Sequence, residues 1–359
     1  MAEPLLEVRN LKVSFRTEDG LVQAVDGVSL TLAEGETLGV VGESGSGKSV
    51  TMMSVMRLIN DPNAIFEGEV FYQGRDLMKL DQDHIRDIRG SGIAMIFQDP
   101  MTSLNPVYRV GWQIAEQIRA HDHVSKQAAR ARTIDLLTSV GIPHARERVD
   151  DYPHQFSGGM RQRVMIAMAL SCNPDVLIAD EPTTALDVTI QAQILTLIKK
   201  LRDDFGTAVI LITHDMGVVA DIADRVVVMY AGRVIEQGSL RSVFYDAQHP
   251  YTWGLLGSIA RLDRPRPPRL TAIKGLPPSL LRLPEGCAFN PRCPQRFEQC
   301  QHEVPELRER AGHGHLDACF LDAQQKQERR EVAIHPELLG QPDVAAQPEL
   351  TEDRVGGEQ

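Results

Sequence analysis

A glycine-rich octapeptide has the residue types and spacing that bind phosphate. Gly42-Glu43-Ser44-Gly45-Ser46-Gly47-Lys48-Ser49 matches the pattern G-x-x-x-x-G-K-[ST]. Glycines let successive backbone N–H groups face a phosphate, and a following helix N-terminus adds the positive end of its dipole. Lys48 is expected to contact the β- and γ-phosphates of a nucleotide, and the Ser49 hydroxyl to bind Mg²⁺. The predicted phosphate-contacting residues are Gly42, Ser44, Gly45, Gly47, Lys48 and Ser49.

Two adjacent acids, Asp180 and Glu181, follow a short apolar run. If this run is a strand beside the phosphate loop, Asp180 reaches the Mg²⁺ shell. Glu181 then lies beside the γ-phosphate, where it can polarise an attacking water. Alone, such a pair is equally consistent with a solvated strand end; together with the loop, it indicates nucleotide hydrolysis.

The segments around these residues predict an α/β fold. The first 35 residues alternate in short runs typical of strands, and residues 99–165 have a largely helical pattern. Short β-branched runs, apolar on both faces and mostly separated by helical segments, indicate a buried parallel sheet. These runs cover residues 175–180, 208–213 and 224–229, and a compact apolar strand at 37–41 precedes them. The run at 92–98 is also predicted to be a strand.

Four further segments complete a set of motifs. Gln98 ends the run GIAMIFQ, and the segment FSGGMRQR opens a helix with Ser157 as its N-cap. Ala185-Leu186-Asp187 follows the acid pair, and His214 follows the run AVILIT. With these residues, the sequence closely resembles the ATP-binding subunit of ABC transporters over residues 5–260. The segment SGGMRQR is the most specific of the motifs, because ordinary phosphate-loop ATPases lack it.

The resemblance implies a role for each matching residue. Two such subunits pair head to tail, so that each ATP lies between the phosphate loop of one and Ser157, Gly158 and Gly159 of the other. Gln98 senses Mg²⁺, water and the membrane partner, and His214 contacts the γ-phosphate. Asp187 links the two sites. Phe15 stands where the family places an aromatic residue that stacks on adenine, although an aromatic residue on a strand can equally be core.

Narrower segments resemble the dipeptide/oligopeptide permease branch and extend the resemblance to about residue 320. They are QDPMTSLNP (98–106), HPYT (249–252) and GLPPSL (275–280). The resemblance implies an ATPase that energises peptide import, with ATP and Mg²⁺. Its partners are two integral-membrane permease subunits and a second ATPase, by default in a heterodimer and alternatively in a homodimer. An extracytoplasmic solute-binding protein acts indirectly, and the chain lies peripherally on the cytoplasmic face of the cell (inner) membrane.

Four of the five cysteines cluster near the C-terminus. Cys287, Cys293, Cys300 and Cys319 have the spacing C-x5-C-x6-C-x18-C. Four thiolates on a loop-rich segment suit an iron–sulfur cluster or Zn²⁺, and some members of the branch are thought to hold a [4Fe–4S] cluster there. The spacing lacks the C-x2-C of a zinc ribbon, so a cluster is favoured over zinc, with plain reduced thiols as the other alternative. Cys172 is predicted to be an inert buried residue.

Composition limits the remaining interpretations. The 359 residues carry a net charge of −11, which argues against a nucleic-acid partner. No apolar run approaches the roughly 20 residues of a membrane-spanning helix, and no secretory signal is visible. The predicted organisation is an ABC domain over 1–260, with its helical subdomain at about 99–165, a Cys-containing extension over 261–320 and a tail over 321–359. That tail is acidic, lacks aromatic residues and is expected to be disordered.

Two other functions compete with peptide import. The same ATPase could serve another cargo, such as nickel or an oligosaccharide, because cargo is chosen by other subunits. A soluble ABC ATPase that acts on ribosomes or DNA is less consistent with the sequence. Those proteins carry two cassettes or long coiled-coil insertions, whereas here one cassette exists and 108 residues separate Lys48 from Ser157.

Overall fold

The computed structural model describes residues 3–99, 103–184, 187–259, 273–309, 312 and 314–334. The strands are β1 (Leu6–Thr17), β2 (Gly20–Leu32), β3 (Thr37–Val41), β4 (Ala64–Tyr72), β5 (Arg75–Asp76), β6 (Ile93–Ile96), β7 (Val176–Asp180), β8 (Ala208–Thr213), β9 (Arg225–Tyr230), β10 (Arg233–Ser239), β11 (Arg308–Glu309) and β12 (Leu316–Asp317). The helices are α1 (Lys48–Val55), α2 (Gln82–Ile88), α3 (Val110–His121), α4 (Lys126–Ser139), α5 (Ala145–Arg148), α6 (Gly158–Ala169), α7 (Val188–Phe205), α8 (Met216–Ile222), α9 (Leu240–Tyr245), α10 (Pro250–Gly257), α11 (Gln299–His302) and α12 (Ala323–Ile334).

A central sheet in the order β11-β12-β10-β9-β3-β8-β7-β6 positions the site. Its strands β9, β3, β8, β7 and β6 run parallel, whereas β10 is antiparallel to β9. Every residue of β3, β7 and β8 is buried, because both faces of the sheet are covered. The predicted α/β fold with a parallel core sheet is confirmed, and the carboxyl ends of β3, β7 and β8 meet at one edge.

A second, antiparallel sheet in the order β2-β1-β4-β5 covers one face of the core. Its apolar side chains form one cluster with Val40 of β3, Met52 of α1 and Ile178 of β7. The expectation of short strands in the first 35 residues is wrong in detail, because this region forms the two long strands β1 and β2. The pairing of β1 with β2 shifts register at several positions, as at β-bulges, and the two strands stay paired along their length.

The helices between β6 and β7 form a block on the other face, and the helical pattern predicted for 99–165 is confirmed. Ser125 caps α4, where its side chain accepts the Ala128 N–H. The apolar side chains of α3, α4 and α6 pack with Leu177 of β7 and Leu211 of β8. This packing holds the start of α6, which carries the Ser157 motif, in a defined place.

The Cys-containing extension joins the central sheet. In the antiparallel pair of β12 with β10, Asp317 stands opposite Glu236. The buried Glu236 carboxylate accepts the Gln248 and His249 N–H groups and contacts His315 Nε2 at 2.8 Å. These buried polar contacts tie the extension to the central sheet.

The prediction that residues 321–359 are disordered is wrong for Ala323–Ile334, which forms α12. Lys326 Nζ donates to Asp317 Oδ2 at 2.6 Å, and both side chains are at most 2% exposed. Ala333 and Ile334 pack against the apolar cluster around α10. The expectation rested on average composition, from which the pairing of one particular lysine with a buried carboxylate cannot be predicted. Residues 335–359 of the predicted tail lie outside the described residues.

Across the described ranges, none of the helices combines the length and the apolar character needed to cross a membrane.

Candidate functional site

The phosphate loop connects β3 to α1 and needs glycine at two places. Gly42 has φ +154° and Gly47, the N-cap of α1, has φ +96°. A Cβ on Gly42 would lie 2.2 Å from Met229 O, and one on Gly47 would lie 2.5 Å from Ala24 O. The loop therefore runs directly against the backbone of β2 and β9, with Ser44 and Gly45 exposed at its tip.

Lys48 lies under this loop and is 4% exposed. Its Nζ donates to Gly42 O at 2.7 Å and to Glu43 O at 2.9 Å. Burial lowers the pKa of Lys48, and the carboxylates of Glu181 and Asp180 oppose that shift. The ammonium group is thus partly stripped of water and directed toward the loop, an arrangement suited to a phosphate contact.

Ser49 and Asp180 meet although 131 positions separate them in the chain. Ser49 is in the first turn of α1, Asp180 ends β7, and the Ser49 hydroxyl donates to Asp180 Oδ1 at 2.9 Å. Burial is the main reason that the pKa of Asp180 is raised. A hydroxyl and a carboxylate side by side are hard oxygen donors, which fit Mg²⁺.

Glu181 is held by residues that follow three different strands. Its Oε2 accepts from Gln98 Nε2 at 2.9 Å and from Thr184 Oγ1 at 2.8 Å. Its Oε1 lies 3.4 Å from His214 Nδ1. The backbone of Glu181 is left-handed, with φ +46°, a strained conformation that often occurs at functional sites. The structure thus brings together Gln98, Glu181 and His214, which the sequence predicted as catalytic.

Thr184 is a contact that the sequence analysis missed. Its hydroxyl orients the Glu181 carboxylate from three positions downstream. The available signal was its place in the turn directly after the acid pair, where a hydroxyl side chain can reach back to Glu181.

The Ser157-Gly158-Gly159 segment begins α6 and is largely exposed. Ser157 Oγ accepts the Met160 N–H at 3.4 Å, as expected of an N-cap. Asp187 caps α7 and accepts the Ile190 N–H at 3.0 Å. A Cβ on Gly159 would lie 3.0 Å from Ile190 Cγ2, so the starts of α6 and α7 adjoin. Ala185 and Leu186, which precede Asp187 in the predicted motif, lie outside the described residues, as do residues 100–102.

Phe15 is half-buried on β1, where it stands opposite Val22 and Ala64 and packs on the core cluster. The adenine-stacking role of Phe15 stays a prediction, and its packing is the alternative that the sequence left open.

The four clustered cysteines line one cavity of about 20 Å³, together with His249 and Phe289. Burial raises the pKa of Cys293 and of Cys319 to about 12. Thiol is the donor type that iron–sulfur clusters and Zn²⁺ prefer. In this arrangement, the described part of the chain contains no group of three or more His, Cys, Asp or Glu side chains placed to hold a metal ion. Cys172 lies elsewhere, and burial raises the pKa of its thiol as well.

Family models match two parts of the chain. A model described as "ABC transporter" matches residues 25–184, and one described as "Oligopeptide/dipeptide transporter, C-terminal region" matches residues 235–300.

Relatives that are covered over 80–96% of their length carry names that agree with these two descriptions. The oligopeptide transport ATP-binding protein OppD of Bacillus subtilis is 56% identical over 286 residues, which cover 79% of this chain and 80% of the relative. The dipeptide transport ATP-binding protein DppD of the same organism is 53% identical, with 90% and 96% covered. OppD of Escherichia coli is 53% identical, with 89% and 94% covered.

Solved structures also match. A dimeric ATP-binding cassette in a post-hydrolysis state, bound to ADP and Pi, aligns with a TM-score of 0.59 and 29% identity. That alignment covers 66% of this chain and 99% of the cassette.

Proposed function

The chain belongs to the ABC transporter family, among its oligopeptide and dipeptide transport ATP-binding proteins, and from this premise we propose that it hydrolyses ATP to energise peptide import through a membrane permease. The observation that carries the proposal is the contact set around Glu181. One carboxylate accepts from Gln98 and approaches His214, and it directly follows Asp180, whose carboxylate accepts from the half-buried Ser49 hydroxyl.

The residues divide the ATPase work among them. The loop amides and Lys48 bind the β- and γ-phosphates, and Ser49 with Asp180 holds Mg²⁺, which neutralises phosphate charge when bound. Glu181 orients and polarises water for attack on the γ-phosphorus. Ser157, Gly158 and Gly159 act on the nucleotide of a second ATPase subunit, since a helix N-terminus attracts anions. We take that second subunit to be a different chain, with a homodimer as the alternative.

We group four exposed apolar side chains, which lie near Gln98 in the sequence, as a docking patch for a permease subunit on the cytoplasmic face of the membrane. Phe97, Val107, Tyr108 and Trp112 are 40–70% exposed, and the Tyr108 and Trp112 rings stack with centroids 4.3 Å apart. Phe97 immediately precedes Gln98, which bonds Glu181. If a cytoplasmic segment of a permease subunit docks on this patch, Gln98 is the residue that connects the docked segment to the Glu181 carboxylate.

We expect the tagged chain, extracted gently from its native membranes, to co-purify with two permease subunits, a second ATPase and a peptide-type binding protein.

Trp112→Ala should lower recovery of the permease subunits several-fold without changing ATP binding, because it removes a large apolar contact. Phe205→Ala is the control. Phe205 is 44% exposed at the end of α7, just before the amino end of β8.

Equal recovery from the two variants would contradict the docking patch. Ribosomal or DNA-repair proteins in place of membrane partners would favour the soluble ATPase, and a nickel- or oligosaccharide-type binding protein would change the proposed cargo.

For the four cysteines we keep the proposal of a [4Fe–4S] cluster, because all four line one cavity. In the described arrangement they are not placed to hold a metal ion, so binding of a cluster would require the four side chains to move. The protein purified without oxygen should be brown and contain about four iron atoms per chain. Cys300→Ser should lose the iron, and Cys172→Ser, outside the cavity, should retain it. Zinc in place of iron would favour a zinc site, and protein without either metal would favour reduced thiols.

A further inference from the structure

The extension reaches the phosphate loop through one ion pair. Arg292 donates from Nη1 to Glu43 Oε2 at 2.5 Å and from Nη2 to Glu43 Oε1 at 2.9 Å. The Arg292 side chain is 4% exposed and that of Glu43 is 30% exposed. A two-point contact of this kind fixes orientation as well as distance.

Other contacts hold the Arg292 guanidinium in place. Its Nε donates to Lys274 O at 3.1 Å and its Nη1 to the Tyr230 hydroxyl at 3.3 Å. The hydrogen bond with Glu43 is the main reason that the pKa of Arg292 is raised, so the guanidinium stays charged. The guanidinium is therefore a rigid, permanently charged anchor for Glu43.

Glu43 is in turn connected to the ammonium group of Lys48. The Glu43 carbonyl accepts from Lys48 Nζ at 2.9 Å and from the Ser46 N–H at 3.2 Å. The Glu43 N–H donates to the Tyr251 hydroxyl at 2.8 Å. A shift of the Glu43 backbone therefore moves the carbonyl oxygen that contacts Lys48 Nζ and the Ser46 N–H.

We propose that Arg292 is a positioning residue for the phosphate loop, so that the extension forms part of the ATP-binding apparatus. The inference rests on the proposed function of Gly42–Ser49 as the ATP loop. In this role Arg292 acts through Glu43, with which it forms its two-point contact, and not as a catalytic residue. Its expected effect is on the affinity for ATP more than on the hydrolytic step.

The location of Arg292 connects the loop to the cysteine cavity. The N–H groups of Arg292 and Cys293 both donate to Phe289 O, each at 3.0 Å, which forms a tight turn. Phe289 and Cys293 line the cavity. The turn that shapes the cavity wall therefore also sets the direction of the Arg292 side chain.

The test measures binding of a fluorescent ATP analogue with Mg²⁺ to the full-length chain. Arg292→Gln should weaken binding about tenfold, because the loop loses its anchor. Arg292→Lys should restore part of the affinity, since it keeps the charge but not the two-point geometry. Arg296→Gln is the matched control in the same segment and should bind as the parent does, because Arg296 is exposed.

A double-mutant cycle separates positioning from general loss of structure. Glu43→Gln alone should also weaken binding, and Arg292→Gln should have little further effect in that background. Hydrogen exchange at residues 42–48 should rise in Arg292→Gln and stay at the parental level in Arg296→Gln.

Parental affinity in Arg292→Gln, or fully additive losses in the double variant, would overturn the role of Arg292. Should Arg292→Gln fail to fold, parental affinity in Glu43→Gln by itself would overturn it. A parental chain that does not bind ATP would instead contradict the proposed function.

Discussion

Replacement of Glu181 by glutamine should abolish ATP turnover while ATP binding is retained. The change keeps the size of the side chain and its acceptor oxygen, so that the contacts with Gln98 and Thr184 can persist. It removes the negative charge that polarises the attacking water, and loss of a positioned base costs about 10²–10⁴ in rate. The proposed phosphate contacts of Lys48 and the loop do not involve the Glu181 side chain and should be unchanged.

The measurement is phosphate release under saturating ATP and Mg²⁺, with binding of the ATP analogue followed in parallel. Glu34→Gln is the matched control, because Glu34 is exposed in the turn before β3. Parental turnover by Glu181→Gln would show that another group is the base. Loss of ATP binding in this variant would place Glu181 in the binding step instead.

Lys48→Ala should weaken nucleotide binding itself. A charge-assisted hydrogen bond contributes about 1.5–3 kcal/mol, which corresponds to about a 10- to 100-fold loss of affinity. The ammonium also bonds Gly42 O and Glu43 O, so its removal frees two carbonyls that shape the loop. The loss should therefore include a less ordered loop as well as a missing phosphate contact.

Titration with the fluorescent ATP analogue and Mg²⁺ gives the affinity directly. Lys200→Ala serves as the control, since Lys200 is exposed on α7. Undiminished affinity in Lys48→Ala would contradict the assignment of Gly42–Ser49 as the phosphate-binding loop. Together, Lys48→Ala and Glu181→Gln should separate binding from hydrolysis.

Features that depend on neighbours in the chain could be predicted from the sequence. The glycines of the phosphate loop, the cap formed by Ser157 and the buried runs of β3, β7 and β8 each follow from local residue types. The sequence also predicted that Asp180, His214 and the phosphate loop lie at the same end of the sheet, since parallel strands present their carboxyl ends together.

Features that depend on one particular long-range partner could not be predicted. Composition along residues 321–359 suggested disorder, yet Lys326 pairs with the buried carboxylate of Asp317 and lies on the helix α12. Four cysteines suggested a metal site, and the fold gathers them around one cavity. Burial there raises the pKa of Cys287, Cys293 and Cys319.

The sequence by itself determined the ATPase chemistry, because the phosphate loop and the two acids together indicate nucleotide hydrolysis and the remaining motifs resemble those of ABC transporter ATP-binding subunits. Only the tertiary structure decided which side chains hold those motifs in place. Arg292 and Glu43 are 249 positions apart, and Gln98 and Glu181 are 83 apart. A hydrogen bond requires contact within about 3 Å, and contacts between distant residues exist only once the sheet and the extension have packed.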